Sequence, residues 1–341
     1  MKRLFIILLL LISLNSYADF SDFYSSISDS ITPDPNAGLT AFPIFNIPLG
    51  GKFESMATAY TAVSNDVSYL QSNPAGGASL TWTELSFSHN NWIADSNLEG
   101  ILFTMRINDL GIGIGGKFLY TPFTEYNSWG ERVSKGYYSE SVATLNVSYN
   151  FFSNYYFYGL SLGTNVKIAY RNIPERIHPN QSSLIAAFDF GILTRFNLFK
   201  FYHSRERNFS IGAVVKNLGP KAIDDPLPSS FTAGISYSFI RPIMLAFDLD
   251  IPFSLWPEEY PPSRLSFSTG IDVVFTDFFS IQAGFSTIPN DRKNDPRRQG
   301  ENRKNGGLLT KIGLNPRSGT NRPNLSVFNI LQTGQIDQKK P

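Results

Sequence analysis

From residue 142 the chain alternates, one residue at a time, between two kinds of side chain. Ala143, Leu145, Val147, Tyr149 and Phe151 form one set, and Val142, Thr144, Asn146, Ser148 and Asn150 are interleaved with them. The next segment repeats the pattern, with Tyr158, Leu160, Leu162, Val166, Ile168 and Tyr170 on one face and Gly159, Ser161, Gly163, Asn165, Lys167 and Arg171 on the other. A period of two marks a β-strand with one apolar and one polar face. It recurs at 101–107, 112–120, 188–192, 209–215, 231–239, 243–251, 267–275 and 279–285, with a weaker start at 85–93 and an end at 308–314. The pattern predicts about 12 strands of roughly 9 to 15 residues, against about 5 or 6 for a soluble β-sandwich. Strands of that length suit a wall that crosses a bilayer.

The connections carry a second signal. Asn108-Asp109, Ser153-Asn154, Arg241-Pro242 and Thr276-Asp277 read as tight turns, whereas 121–136, 172–182, 219–229, 254–263 and 289–305 read as long loops. Short and long alternate, except for a medium connection around 202–207, as periplasmic turns and external loops do in an outer-membrane barrel. Aromatic pairs at strand ends, Phe151-Phe152, Tyr155-Tyr156, Phe278-Phe279 and Tyr137-Tyr138, fall where interfacial girdles belong.

Export is written at the start. Lys2 and Arg3 precede an apolar block at 4–12, and Ser16-Tyr17-Ala18 has the small-x-small spacing of a signal-peptidase site, so residues 1–18 read as a signal peptide. The apolar block is shorter than the roughly 20 residues a spanning helix needs. There is no cysteine, hence no disulfide framework, thiolate metal site or lipidated cysteine. The net charge of +1 gives no compositional argument for nucleic acid.

Motifs suggestive of catalysis fail on context. Gly111-Ile112-Gly113-Ile114-Gly115-Gly116 satisfies G-x-G-x-x-G but lies inside a period-two strand, without the helix that meets a pyrophosphate. His89, His178 and His203 are far apart and share no ligand spacing, so neither a catalytic residue, a metal nor a cofactor is expected. Charges on the polar faces are more informative: Arg106, Lys117, Glu140, Lys167, Arg171, Asp189, Arg195, Lys216, Asp248, Asp250 and Asp272. Both signs are present, which points to charges paired inside a filled lumen and against a single-sign selectivity ring.

About 60 residues precede the first strand. Met56, Ala59, Tyr60 and Val63 fall at helical spacing, predicting a short helix over 54–62 and a second helical piece at 67–71. Pro74 forces Asn73 out of helical geometry, so 73–77 reads as a turn. The run Ala59 to Gly76, AYTAVSNDVSYLQSNPAG, resembles the N-terminal hatch of FadL-type outer-membrane transporters of long-chain fatty acids and other hydrophobic compounds, in a spirochaete branch of that superfamily. Asn73, Pro74, Ala75 and Gly76 carry the resemblance.

The resemblance implies an all-β transmembrane antiparallel barrel of about 14 strands (12 possible) with an N-terminal hatch inside its lumen. The corresponding organisation is signal peptide 1–18, hatch 19–80, barrel 81–332 and polar tail 333–341. It further implies an outer-membrane protein, not an enzyme, passively taking up hydrophobic molecules, long-chain fatty acids above all, through a lateral opening. Outer-membrane lipid and the barrel assembly machinery are its implied partners. Within that frame Lys117, Lys167 and Arg171 are candidates for a ligand's anionic head group, with pairing to hatch carboxylates Glu54 or Asp66 as the alternative. Gly115 and Gly116 are candidates for a lateral gate, or simply make room for a packed plug. A FadL-like barrel could instead bind secreted partners, or meet a host through 121–136 or 291–304. The family's barrels end in an aromatic strand, whereas 324–332 is a poor strand candidate and the chain closes on a basic tail.

Overall fold

The computed structural model describes residues 40–91, 95–127, 129–154, 158–175, 179–202, 207–255, 265–276, 279–286 and 324–326. The signal peptide, the strand expected at 308–314 and the polar tail lie outside them. Eleven strands follow one another in chain order: β1 Glu84–Asn91, β2 Asn97–Ile107, β3 Leu110–Tyr126, β4 Arg132–Phe151, β5 Leu160–Asn172, β6 Ser183–Phe196, β7 Phe209–Leu218, β8 Ser230–Ile240, β9 Ile243–Pro252, β10 Ser266–Thr276 and β11 Phe279–Ser286. Each pairs antiparallel with the next, a continuous up-and-down meander. A three-residue strand, β12 Asn324–Ser326, lies on the free edge of β1 in parallel, departing from the all-antiparallel expectation.

The alternation works as the sequence predicts. In β4, Leu145, Val147, Tyr149 and Phe151 are exposed while Asn146, Ser148 and Asn150 are buried. The same holds round the wall, where Ile101, Ile114, Ile168, Phe190, Ile211, Ile235 and Phe247 all stand outward and open. A sheet that exposes its apolar face and buries its polar one is built for hydrocarbon outside, so this is a transmembrane β-barrel architecture. Among the described residues no helix is long and apolar enough to cross a membrane; the strands do so.

Inside the curve lies the segment 40–80. Its contacts reach Glu84 of β1, Thr104 of β2, Asn146 of β4, Asn165 of β5, Asp248 of β9 and Asp272 of β10. One compact segment can meet strands from both ends of the sheet only because the sheet curls round it. The segment is less helical than its spacing predicts. The first helix, α1, is Gly51–Ser55 and the second, α2, is Tyr69–Ser72. Met56, Ala59, Tyr60 and Val63 are nevertheless all buried, so their spacing reports contact with the wall, not helix. Ala57, Thr58 and Ser64 adopt positive φ, which breaks the helix after one turn.

Three connections also differ from expectation. The tight turn read at Ser153-Asn154 is a longer connection over 152–159, because β4 stops at Phe151, where Phe152 turns to positive φ, and β5 begins only at Leu160. Residues 121–136 are mostly strand: β3 and β4 stay paired from Thr121↔Tyr138 to Tyr126↔Arg132, well past β2 and β5. The aromatic ring of Phe123 covers Gly136 there, a cross-strand pair that sustains the ribbon. The 219–229 connection folds inward, burying Ala222 and Leu227 against Ala41, whose N–H donates to Pro226 O at 2.9 Å.

Candidate functional site

Asn73 and Pro74 sit against the wall where it carries no side chains. Gly163 of β5 and Gly191 of β6 are cross-strand partners facing inward. A Cβ on Gly163 would run into the Pro74 carbonyl, and one on Gly191 into Asn73 Oδ1. Glycine is required at both: at Gly163 backbone packs on backbone, and at Gly191 the Asn73 amide and the Pro74 ring press on the strand. Asn73 is extended (φ −139°, ψ 110°), as the following proline demands, and Pro74–Ser79 forms a 3₁₀ helix where a turn was expected. The Asn73 side chain satisfies three groups: its Nδ2 donates to Thr61 O and Ile192 O, both at 3.0 Å, and its Oδ1 accepts from Ala75 N at 3.1 Å. Gly111 and Gly113 do the same for Gly77 and Tyr69, which accounts for the glycine-rich run in β3 without a nucleotide.

From there a buried polar network crosses the inner wall. Tyr69 Oη donates to Asn146 Oδ1 (3.1 Å) and meets Thr104 Oγ1 (3.0 Å). Burial raises the Tyr69 phenol above its ordinary range, so its proton stays in place. Asn146 Nδ2 reaches Pro74 O and Asn165 Oδ1, and Asn165 Nδ2 reaches Leu70 O and Asp189 Oδ2. Lys167 closes on Asp189 at 2.7 Å and on Asn217 Oδ1 at 2.8 Å. Asn217 is left-handed (φ 58°) and its N–H turns onto Asp189 Oδ1 at 2.8 Å. The β6–β7 ladder skips here, pairing Phe188 with Leu218 and Phe190 with Val215, so β7 carries a bulge beside this network.

Toward the long-loop end the inner face turns apolar. Leu98, Leu102, Leu119, Val142, Ala169, Ile185 and Ala187 enclose a chamber filled by the chain itself: Phe42 and Ile44, fully buried, with Leu49. The three candidate head-group cations surround this strap. Lys117 Nζ donates to Ile47 O at 2.9 Å, Lys167 stands 5.2 Å from the Phe45 ring, and the Arg171 guanidinium lies 5.6 Å from the Phe42 ring. Glu140 accepts from Ile44 N at 3.0 Å and from the Tyr138 hydroxyl. The structure thus brings Lys117, Lys167 and Arg171 to one place, but with different commitments. Lys117 binds the strap's backbone and Lys167 is neutralised by a wall carboxylate, not by Glu54 or Asp66. Arg171 keeps a buried Nε without a hydrogen-bond acceptor.

Gly115 and Gly116 interrupt nothing. Both keep register with Leu102 and Ile101 on β2 and with Thr144 and Ala143 on β4. The strap is a candidate functional element without a strand or helix pattern of its own. Its signal was there: Phe42-Pro43-Ile44-Phe45-Asn46-Ile47 is an apolar cluster, and Val142 is an apolar residue on an otherwise polar face.

On the far side of the lumen other contacts hold the segment. Asp248 Oδ2 accepts from Tyr60 N (2.9 Å) and Thr61 N (2.8 Å), and Lys52 pairs with Asp272 at 3.3 Å, both residues buried. His89 pairs with Glu99 on the exposed surface, while His178 and His203 lie outside the described residues.

One relative from Treponema pallidum (strain Nichols), a UPF0164 protein, is 29% identical over 258 residues, covering 70% of this chain and 58% of the relative. A second UPF0164 protein of the same organism is 31% identical over 176 residues, covering 50% and 35%. The chain therefore spans between about a third and three fifths of the length of these curated relatives. Two solved structures show a weak likeness. One is a TodX deltaS2S3 mutant monoaromatic hydrocarbon channel (TM-score 0.42, 13% identity, 65% of this chain and 78% of that one). The other is the toluene transporter TodX of Pseudomonas putida (TM-score 0.43, 11% identity, 71% and 84%). The fold described above stands on strand pairing and burial without them. The family model described as "Uncharacterised protein family (UPF0164)" matches residues 22–246, well over half of the sequence, and the chain belongs to that family.

Proposed function

We propose that this protein is an outer-membrane barrel for passive uptake of hydrophobic molecules, built on the FadL plan, with segment 40–80 as its hatch. One observation carries the proposal: an apolar chamber inside the wall, filled by the chain's own Phe42 and Ile44 and ringed by Lys117, Lys167 and Arg171. A ligand with an apolar body and an anionic end makes the same contacts as the strap and adds an acceptor for Arg171. Long-chain fatty acids have that chemistry. The exit is the β6–β7 bulge, where Asn217 and Asp189 replace ladder hydrogen bonds beside the chamber, in preference to Gly115 and Gly116 with their unbroken pairing.

Binding of oleate and of toluene to purified full-length protein tests this. Saturable oleate binding is expected, weakened about tenfold by Arg171→Gln, with toluene unaffected by that change. Absence of saturable binding of either compound overturns the proposal. A second reading, a surface-interaction barrel, is favoured by the β3–β4 ribbon, which carries a Trp129 that is 87% exposed. Recovery of a stoichiometric protein partner without lipid selects it.

A further inference from the structure

The β6–β7 connection departs from the turns at its end of the barrel. The connections at 108–109 and 241–242 there are two residues long and the β4–β5 connection spans 152–159, whereas β6 ends at Phe196 and β7 begins only at Phe209, the longest span of the four. Its described residues meet the outer face of the wall. Asn208 pinches its base, accepting from Leu198 N at 2.9 Å and donating to Leu198 O at 2.7 Å. Tyr237 shares the outward parity of Ile235 on β8, and its hydroxyl donates to Phe199 O at 3.1 Å. The connection thereby joins a row of outward rings, Phe196 with Phe209 at 4.9 Å, Phe209 with Tyr237 at 5.9 Å and Tyr237 with Phe239 at 6.2 Å.

What it presents there is amphipathic. Phe199 and Phe201 are each 76% exposed, among the most open rings in the described wall. Between and behind them Lys200 and Arg241 both face the Tyr202 ring, at 5.1 and 5.9 Å. Residues 197–209 hold Lys200, Arg205 and Arg207 against a single carboxylate, Glu206, so the segment is net basic. Two bare rings in water would be a liability, but the surface is continuous with the apolar outer band, at the level where strands give way to turns. That is where acyl chains meet headgroups.

We infer that residues 199–202 at the start of the β6–β7 connection, together with Arg241, form an interfacial anchor for an acidic phospholipid in the leaflet at the short-turn end, Phe199 and Phe201 entering the acyl chains and Lys200 and Arg241 meeting the headgroup phosphate. The charge order suits an anionic headgroup and not a zwitterionic one, since each cation near an anionic lipid surface favours it by about fivefold. The inference rests on the membrane-barrel reading.

The test reconstitutes full-length protein into phosphatidylcholine vesicles containing about one fifth phosphatidylglycerol. Lipids retained after mild detergent extraction are counted by native mass spectrometry, and heat-modifiable gel mobility reports that each variant is folded. Retention of phosphatidylglycerol several-fold above its share is expected for the wild type. Lys200→Gln combined with Arg241→Gln should return it to that share, and Phe199→Ser combined with Phe201→Ser should lower retention of both lipids. Folded, inserted wild type that retains phosphatidylglycerol only at its vesicle share, or folded variants that retain it as the wild type does, overturns the inference and leaves the barrel reading standing. Wild type that never inserts overturns both.

Discussion

Asn73 shows how much one side chain organises. It is fully buried, its amide bonds carbonyls of the inner segment and of β6 together, and its carbonyl caps the 3₁₀ helix after Pro74. Asn73→Ala leaves Thr61 O and Ile192 O without this donor, a loss of about 2–4 kcal/mol in docking of the segment. Faster proteolysis within 40–80 in folded barrels, at unchanged heat-modifiable mobility, is the expected readout. Gly191→Ala attacks the same contact from the wall side: its Cβ meets Asn73 Oδ1, and about 1–3 kcal/mol of overpacking should again loosen the segment. Wild-type protease resistance in both variants would refute the account. Asn73 was visible in the sequence through the proline that follows it. Gly191 was not, because an inward glycine acquires its meaning only from what presses on it.

At the scale of elements, the strap at 41–49 and the loop at 219–229 act together. Ala41 is bonded to Pro226, Ala222 and Leu227 share the strap's apolar cluster, and Asn217 at the base of the loop is bonded to Pro228, Ser229 and Asp189. Phe42→Ala removes a fully buried ring at a cost of about 3–5 kcal/mol to strap docking. If ligand and strap compete, that cost reappears as tighter binding, since more of the population has an open chamber. Oleate titration of Phe42→Ala should give a dissociation constant at least tenfold below wild type; an equal or weaker one would show that the strap does not occupy the ligand's place.

For the molecule as a whole, the question is what ties the N-terminal segment to strands 200 residues away. Lys52 and Asp272, both buried, form such a tie, with Asp272 also accepting from Gln282. Breaking a buried pair by removing one partner typically costs about 3–5 kcal/mol, whereas removing both charges can be nearly neutral. Lys52→Met should therefore lower the urea midpoint of the barrel, and Lys52→Met with Asp272→Asn should restore much of it. Additive losses in the double variant would mean that the two side chains are not coupled.

The sequence by itself determined the wall. A period of two depends only on neighbouring residues, and a strand shows one face to lipid and the other to the lumen wherever it sits in the barrel, so strand positions, outward faces and the two-residue turns at 108–109 and 241–242 could be read from Ala143, Leu145 and their counterparts. It also placed Asn73 in extended geometry and Lys117, Lys167 and Arg171 on the inner face. Only the tertiary structure decided what fills the lumen. Helical spacing at Met56, Ala59, Tyr60 and Val63 meant burial against curved strands, an apolar Val142 on a polar face meant a chamber, and Lys167 chose Asp189 over Glu54 and Asp66. Those outcomes depend on contacts between residues up to 220 positions apart, and no local pattern encodes which inward side chain a closing sheet will bring to which.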